Sequence, residues 1–579
     1  PRPVSEPAQA MSGVIKYAES PGANPNYIFP ETSTANQSIY NNSQFINLMW
    51  PLIYTPAPVE PVMDYKNSMA YPPVVNSTGT VFTVHLRHWL WSDGQPVTAR
   101  DLTFYINLGE AMGATWGNYS GPTQFPYNIK STTILNPTTV RFVMKSPINP
   151  TYFIDNGIDY ITPMPQHAWD KTSVNGPVGN YDETPSGAKA VLKFLQAQAA
   201  QTSTYATNPL WKVVDGPWTL KAYGGQASPT VFVPNPHYSG VKPTVAQFQE
   251  IPFTSDTAEY TALRAGNNLN YGYVPPNDVP SIGSLKRLGY HITQVYDWGF
   301  DYMIPNLKNP QVGPILSQLY VRQVLSTLTD QNSMIKRFMY GYGVPGYGPT
   351  PVNPRGNPFI STKEMSNPYP FSVSKAKTML IRHGWKLNPG GVDTCASPGS
   401  GPNQCGAGIA AGAKLAFNLL YANDSTVEQE DNDLFAADAS EAGIQITAKS
   451  TDFNTVISTV QQCGKDKTAP TCTWQLGEYG GIGESTYPSG EGLINTGGAF
   501  NAGSFSDPLL DKYINQSTVS TNLGAYKNYE NRWVEDDPWI IQPDPAHLAA
   551  TYHLSGYGLT TEFNGYRNYI QPNFWRLSK

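Results

Sequence analysis

The alternation of apolar and polar positions is clearest between residues 81 and 108. Within the segment from Val81 to His88, apolar and polar side chains alternate at every position between Phe82 and Arg87, which is typical of a half-buried strand. Ser92-Asp93-Gly94 then predicts a turn, in which glycine supplies a positive φ and aspartate bonds local amides. Thr98 followed by Asp101 resembles a capping box. The segment therefore predicts strand, turn and capped helix, and it implies no catalytic role.

Strand-like and helix-like patterns of apolar residues recur along the rest of the chain. Residues 13–19 and the pair within 132–146 predict strands, residues 213–240 predict a β-hairpin, and residues 186–201 predict an amphipathic helix. Residues 38–55 predict an apolar helix that runs into a bend. The pattern as a whole indicates a mixed α/β protein. Its 579 residues are enough for three or four domain-sized units.

The amino-acid composition excludes some classes of protein. Charged residues make up 14% of the chain, against about 25% in ordinary soluble domains. Its 50 Gly and 52 Pro indicate many loops, and the net charge of -6 provides no basic surface for nucleic acid. No apolar run reaches the 18 residues that a membrane-spanning helix needs.

The four cysteines fall into two local pairs. Cys395 with Cys405 and Cys463 with Cys472 lack the spacing of zinc or thioredoxin-like sites, so disulfides are the favoured interpretation. Four buried free thiols are the alternative. Disulfides persist in oxidising compartments, which favours export.

Sequence motifs of enzymes are missing. The chain contains no GxSxG, HExxH or Walker sequence, and we expect neither a cofactor nor a metal. GYGVPG at residues 341–346 matches a dinucleotide fingerprint by letter. A dinucleotide site needs this sequence after a strand and at the start of a helix. Here the segment follows a predicted helix and is followed by prolines, so it cannot begin a helix.

Several motifs share an order with one known family. WSDGQPVTARD at residues 91–101 resembles the signature of the family 5 extracellular solute-binding proteins of ABC importers. Further similar segments follow in the same order: DGPW at 215–218, VRQVL at 321–325, KAKTMLIRHGW at 375–385 and FSDPLLDKYI at 505–514. Their order makes chance an unlikely source of the resemblance.

The resemblance implies a fold and a function. The expected fold is α/β, a two-lobed periplasmic-binding-protein-like fold of type II in its three-domain oligopeptide-binding variant. Domain I would comprise residues 1–50, 210–297 and 541–579, domain II residues 51–209, and domain III residues 298–540. The implied protein is a monomeric receptor outside the cytoplasm, anchored to the membrane through a removed N-terminal lipoprotein segment. It would bind an oligopeptide between its lobes, pass it to the permease of an ABC importer, and not be an enzyme.

Residues 473–492 are the candidate ligand-binding segment. In peptide-binding relatives, an aspartate four residues before a proline takes the peptide's amino group, and counting back from Pro488 gives Glu484. Glycines beside it would let a ligand backbone approach, as in strand addition. An ordinary glycine-rich loop is the alternative. The further candidates for the cleft are Tyr27, Ile28, Phe29, Trp50, Trp298, Phe300, Trp474, Tyr479, Gly481, Ile482 and Gly483.

A second ligand class fits the same fold. The chain has 13 Trp and 36 Tyr, together with abundant amide side chains, which suit stacking against sugars. An oligosaccharide receptor is therefore the alternative function. Stacked tryptophan faces in the cleft would favour sugar, whereas a carboxylate facing an amine-sized gap would favour peptide.

Overall fold

The computed structural model describes residues 12–58, 60–266, 269–354, 356–559 and 569–578. Its α-helices are α1 Ile39–Asn41, α2 Asn47–Met49, α3 Ala99–Met112, α4 Pro150–Asn156, α5 Gln166–Trp169, α6 Pro185–Ala199, α7 Asp256–Arg264, α8 Ile282–Arg287, α9 Gly313–Leu316, α10 Leu319–Thr327, α11 Gln331–Arg337, α12 Val373–Arg382, α13 Thr426–Glu441, α14 Phe453–Thr459, α15 Pro470–Thr473, α16 Pro508–Val519 and α17 Leu523–Asp536. A π-helical turn, Asn42–Ile46, joins α1 to α2. No helix within the described ranges is both long and apolar enough to cross a membrane.

The strands are short and spread along the whole chain. They are β1 Val14–Ala18, β2 Val74–Val75, β3 Val81–His85, β4 Ile129–Asn136, β5 Thr139–Met144, β6 Trp218–Ala222, β7 Thr230–Pro234, β8 Gln247–Ile251, β9 Tyr271–Tyr273, β10 His291–Val295, β11 Gly299–Pro305, β12 Gly343–Val344, β13 Trp385–Lys386, β14 Thr394–Cys395, β15 Ala416–Ala422, β16 Gln445–Thr451, β17 Leu476–Gly483, β18 Ile540–Ile541, β19 Asp544–Pro545, β20 His547–Thr551, β21 Leu554–Gly556 and β22 Trp575–Leu577. The prediction of a mixed α/β protein is confirmed.

Three larger sheets organise the molecule. A seven-stranded sheet has the order β10-β20-β9-β1-β8-β7-β6, a five-stranded sheet the order β16-β15-β17-β11-β18, and a four-stranded sheet the order β2-β3-β5-β4. Apart from Ile541 at the edge of β18, the strands of each sheet come from one of the three predicted domains. The domain boundaries themselves stay a prediction.

Two crossovers join the seven-stranded and five-stranded sheets. The chain leaves the first sheet after β10 and enters the second at β11, with the three residues Tyr296, Asp297 and Trp298 between them. It returns from β18 to β20 across residues 542–546, where β19 pairs with β12. Strand pairing within each sheet is extensive, whereas few residues link the sheets, so the crossovers are where the two halves can move relative to each other.

The strand, turn and capped helix predicted at residues 81–112 are present. Gly94 has a φ of +86°, and the amide of Gln95 donates to Asp93 over 3.0 Å. The Asp101 carboxylate accepts from the backbone amide of Thr98 at 2.7 Å, which satisfies a donor that the first turn of α3 leaves unpaired. This unit belongs to the scaffold, because its apolar residues lie in the largest hydrophobic core.

Both predicted disulfides are present, Cys395–Cys405 and Cys463–Cys472. The GYGVPG segment forms the short strand β12 after α11 and opens no helix, as its flanking sequence indicated. The predicted helix at 186–201 is α6, which begins at Pro185 with Thr184 as its N-cap.

Candidate functional site

An internal cavity of about 350 Å³ lies between the lobes. Its wall takes Tyr273 from the seven-stranded sheet, Tyr479 from the five-stranded sheet, and Asn118 and Tyr160 from the predicted domain II. Both crossovers contribute to it, through Asp297 and through residues 542–546. The cavity therefore lies where relative movement of the lobes would open or close it.

Cross-lobe hydrogen bonds close the cavity. The Tyr40 hydroxyl donates to the Asp424 carboxylate over 3.4 Å, and the side-chain amide of Asn156 donates to the backbone carbonyl oxygen of Tyr487 over 2.8 Å. The hydroxyls of Tyr160 and Ser485 lie 2.5 Å apart. These contacts join parts of the chain more than 300 residues apart, so the structure shows the lobes in a closed arrangement.

One wall of the cavity is built by β17. This strand pairs with β15 only as far as Glu478, whereas its pairing with β11 continues to Gly483. An extra residue interrupts the β11 register between Glu478 and Gly481, and Gly480 takes a φ of +78° there. Such a bulge changes the direction of neighbouring side chains and often lies beside a binding site.

Beyond Glu478, one edge of β17 faces the cavity without a neighbouring strand among the described residues. The amide of Glu484 donates to the Trp298 carbonyl over 2.7 Å. Because hydrogen-bonded and non-bonded pairs alternate in antiparallel strands, Gly481 and Gly483 direct their N–H and C=O groups away from β11. Backbone donors and acceptors of β17 therefore point to the open edge.

Glu484 follows directly after that edge. Its side chain is buried, with 7% of the residue exposed, and it lines the cavity. The amide of Ser489 donates to one carboxylate oxygen over 3.5 Å. The Trp298 indole donates to the Ser485 carbonyl over 2.7 Å, which holds this part of the chain against the first crossover.

The cavity wall is strongly acidic. It includes no lysine or arginine among the described residues, and its carboxylates are Asp256, Glu259, Asp297, Asp301, Asp424, Glu428, Asp431, Glu478, Glu484, Glu491 and Asp544. His547 also lines it, 3.5 Å from Asp297. Burial lowers the pKa of His547, but Asp297, Asp301 and Asp424 outweigh this effect, and its pKa is raised overall.

Burial raises the pKa of carboxyl groups on the wall, whereas pairing with a cation would lower it. Burial raises the pKa of Asp431 to about 8, and the charges of Glu478, Asp301 and Glu430 add to the shift. Burial likewise raises the pKa of Glu478, to which Asp301 also contributes. Burial alone raises the pKa of Glu491. These three carboxyl groups are therefore costly to ionise unless a cation lies close to them.

Two of these carboxylates are both deeply buried and incompletely paired. Glu491 is 1% exposed, and neither of its carboxylate oxygens has a hydrogen-bond partner among the described residues. Asp431 is 6% exposed and has one oxygen, Oδ1, in the same situation. A buried acceptor without a partner is unfavourable, so both groups are suited to a donor supplied by a ligand.

Six of the residues predicted from sequence lie together on the cavity wall: Phe300, Tyr479, Gly481, Ile482, Gly483 and Glu484. Among the described lining residues the large aromatics are tyrosine and phenylalanine, and none is tryptophan. Ligand contact by the six residues stays a prediction.

The other six predicted residues are not on the wall. Tyr27, Ile28, Phe29 and Trp50 lie in the largest hydrophobic core instead of the cleft. Phe29 packs 6.0 Å from Trp169, and the Trp50 indole donates to the Val213 carbonyl. Those partners are distant in sequence, so the loop composition gave no sign of them.

Trp298 and Trp474 are also buried away from the cavity. The Trp298 side chain is fully buried, and the Trp474 indole donates to the carbonyls of Gln461 and Thr471. Both stabilise the chain next to the site, because each indole N–H bonds a backbone carbonyl of the loops that flank β17.

Sequence reasoning missed most of the acidic wall. Glu428 and Asp431 on α13, and likewise Asp256 and Glu259 on α7, lie three residues apart, a spacing that brings each pair to one helix face. This spacing is a local signal, but it equally suits a solvated surface. The two pairs and the other carboxylates come from different parts of the chain, and their proximity depends on the tertiary fold.

Two lobes joined by two crossovers, with a cavity between them, define a ligand-binding protein of the periplasmic-binding-protein type. A family model for bacterial extracellular solute-binding proteins, family 5 (middle region), matches residues 64–480. This match covers more than half of the chain, so the chain belongs to that family.

Relatives in sequence and structure agree with this assignment. Protein XP55 of Streptomyces lividans is 24% identical over 510 residues, which cover 86% of this chain and 79% of that protein. The structure of the oligopeptide-binding protein AppA from Bacillus subtilis, in complex with a nonapeptide, has a TM-score of 0.74 at 18% identity and covers 98% of this chain and 99% of that one. DppA from Helicobacter pylori, in complex with the peptide STSA, has a TM-score of 0.72 at 16% identity, with 98% and 99% covered. The predicted fold class is confirmed.

Proposed function

We propose that this protein captures an oligopeptide in the interlobe cavity as the solute receptor of an ABC importer. The observation that carries the proposal is the open edge of β17 from Gly480 to Gly483, which faces the cavity. A peptide backbone can pair with that edge as an added strand. Two similar structures, AppA and DppA, are described as complexes with peptides, which supports this ligand class.

Glu484 is the proposed partner of the peptide's α-ammonium. It lies at the end of the open edge and lines the cavity, and a carboxylate is an acceptor that suits an ammonium group. A buried ammonium needs a paired anion, since an isolated buried charge is strongly unfavourable. With the ammonium at Glu484, the peptide runs along the edge toward Glu478 and antiparallel to β17.

The wider setting is part of the proposal. The receptor acts outside the cytoplasmic membrane as a monomer, held there by a lipid-modified N-terminal segment, and its closed form delivers the peptide to a membrane permease. Family membership supports the extracellular setting. The three-domain division, with domain I discontinuous, supports closure about the two crossovers.

An oligosaccharide ligand is supported less well than a peptide. Stacked tryptophan faces would favour sugar, and the described lining residues include tyrosine and phenylalanine but no tryptophan. The buried tryptophans instead pack in the cores, as Trp50 does against Trp169 at 5.4 Å.

The test is to identify what the protein carries. The protein is purified under native conditions from a host that supplies peptides, then denatured, and the released small molecules are analysed by mass spectrometry. We expect peptides with free amino termini. Release of oligosaccharides without peptides, together with no calorimetric binding of peptides, would contradict the proposal.

A further inference from the structure

We propose that the preferred ligand is a cationic peptide, with basic side chains roughly four or five residues from its amino terminus. This inference rests on the proposed function and adds the chemical class and position of the side chains. It follows from the charges of the cavity wall, from two incompletely paired carboxylates, and from the geometry of β17.

The excess of carboxylates on the cavity wall disfavours binding of an acidic ligand. Its many carboxylates face the cavity, and the part of the chain that the structure describes offers only His547 as a lining cation. Ion pairs in a partly dehydrated site are much stronger than in water, and like charges repel correspondingly. A single α-ammonium would neutralise one carboxylate and leave the others.

The incompletely paired carboxylates show that the wall is more than a group of acidic residues. Glu491 keeps both carboxylate oxygens, and Asp431 keeps Oδ1, without partners among the described residues, although both are more than nine-tenths buried. Both line the cavity. Ammonium and guanidinium groups supply three and five donors respectively, so one basic side chain can satisfy several such oxygens.

The arrangement suits an organic cation better than a metal ion. Among the described residues no group of three or more His, Cys, Asp or Glu side chains converges as a metal shell would require. The carboxylates instead spread over β11, α13, β17 and the second crossover. Spread charges match an extended ligand with several positive groups.

The position of the basic side chains follows from β17. The open edge between Glu484 and Glu478 offers about four pairing positions, Gly483 to Gly480, or roughly 14 Å of strand. At the far end of the edge, the side-chain amide of Asn432 on α13 donates to the Glu478 carboxylate over 2.8 Å. Asp431, the neighbour of Asn432, and Glu478 therefore lie on adjoining elements. A peptide anchored at Glu484 therefore brings its fourth or fifth side chain to this acidic group, because successive side chains of a strand point to opposite faces.

Calorimetric titration of amidated pentapeptides tests the inference. We expect Ala-Ala-Ala-Lys-Lys to bind at least about tenfold more tightly than Ala-Ala-Ala-Gln-Gln. Ala-Ala-Ala-Glu-Glu should bind more weakly than both. Lys-Lys-Ala-Ala-Ala has the same composition as the first peptide and should bind less tightly, because its basic side chains lie at the wrong end.

A pair of variants provides the matched control. Asp431→Asn should reduce the preference for lysine over glutamine, whereas Asp433→Asn removes the same charge from an exposed position on the same helix and should leave the preference unchanged. Thermal unfolding of both variants checks that they are folded. Should Asp431→Asn not fold, the comparison of the four peptides on the unmodified protein still decides the question.

The outcomes separate this inference from the proposed function. Equal binding of the lysine and glutamine peptides would overturn the inference and leave peptide capture intact. Binding of spermine in the cavity without binding of any pentapeptide would overturn peptide capture, and with it this inference, in favour of a non-peptide polycation.

Discussion

The backbone amide of Glu484 donates to the carbonyl oxygen of Trp298 over 2.7 Å, which ties the proposed peptide anchor to the first crossover. Trp298 also donates its indole N–H to Ser485. The site for the ligand's amino terminus and the segment between the lobes are therefore directly connected. A ligand held at Glu484 contacts the structure about which the lobes would move.

Lobe closure on ligand binding is the first consequence. We expect the hinge to lie at the two crossovers, residues 296–298 and 542–546, because the chain passes between the two sheets there. Small-angle scattering with and without a ligand that binds should show a smaller radius of gyration for the complex. Superimposable profiles at saturating ligand would contradict closure.

The acidic wall predicts an unusual dependence of stability on pH. The pKa of Asp431, about 8, exceeds that of an unfolded aspartate, about 4, so the folded protein binds more protons between these values. The free energy of unfolding of the ligand-free protein should therefore decrease as pH rises through this range. The charged or titratable groups that interact with Asp431 are Glu478, Asp301, Glu430 and Glu428, and His547 in turn interacts with Asp301.

Denaturant titrations at pH 5, 6, 7 and 8 measure this dependence. The variant Asp431→Asn should show a shallower decrease, because its side chain does not titrate. The exposed Asp433→Asn should retain the slope of the unmodified protein. A stability that rises across this range in the ligand-free protein would contradict the assignment of raised pKa values.

The missing basic residues in the cavity predict how the other end of the peptide behaves. No described lining residue is a lysine or an arginine, so a peptide carboxylate finds no cation other than His547 there. Amidation of the peptide C-terminus should therefore leave binding unchanged or strengthen it. Calorimetry on acid and amide forms of one peptide measures this, and a tenfold or larger loss on amidation would contradict it.

The two disulfides should contribute unequally to stability. They close loops of similar length, with sequence separations of 10 and 9, for which loop entropy suggests roughly 2 to 3 kcal/mol each. Cys395 and Cys405 are both buried in a core, whereas Cys463 is only half-buried. Replacing the first pair by serine should therefore lower the free energy of unfolding more than replacing the second. Equal losses in denaturant titrations would show that burial adds nothing.

Local chemistry was predictable from the sequence, and long-range packing was not. The Thr98–Asp101 cap and both disulfides depend on residues close together in the chain, and all are present. The burial of Phe29 depends on Trp169 and Trp211, which are more than a hundred positions away. The residues around Phe29 in the chain therefore gave no sign that tertiary contacts bury it.

The candidate site likewise has a part that the sequence could predict and a part that it could not. Residues 479–484 could be found because one short segment carries both the glycines and the glutamate. The acidic wall could not, because Asp301, Asp431 and Asp544 come from three separate elements and each is compatible with a solvated surface when considered alone. Their electrostatic coupling exists only in the folded protein.

The pairing of a peptide's α-ammonium with Glu484 is tested most directly by a thermodynamic cycle. Calorimetry is performed on the unmodified protein and on Glu484→Gln, each with a peptide and with its N-acetylated form. The exposed Glu441→Gln serves as the control for removal of one negative charge. We expect Glu484→Gln to weaken binding of the free-amine peptide by about 2 to 5 kcal/mol, since it leaves a buried ammonium without its anion. Acetylation should weaken binding to the unmodified protein by a similar amount and cost the variant little more, because both changes remove one shared interaction. Fully additive losses would contradict the proposed anchor.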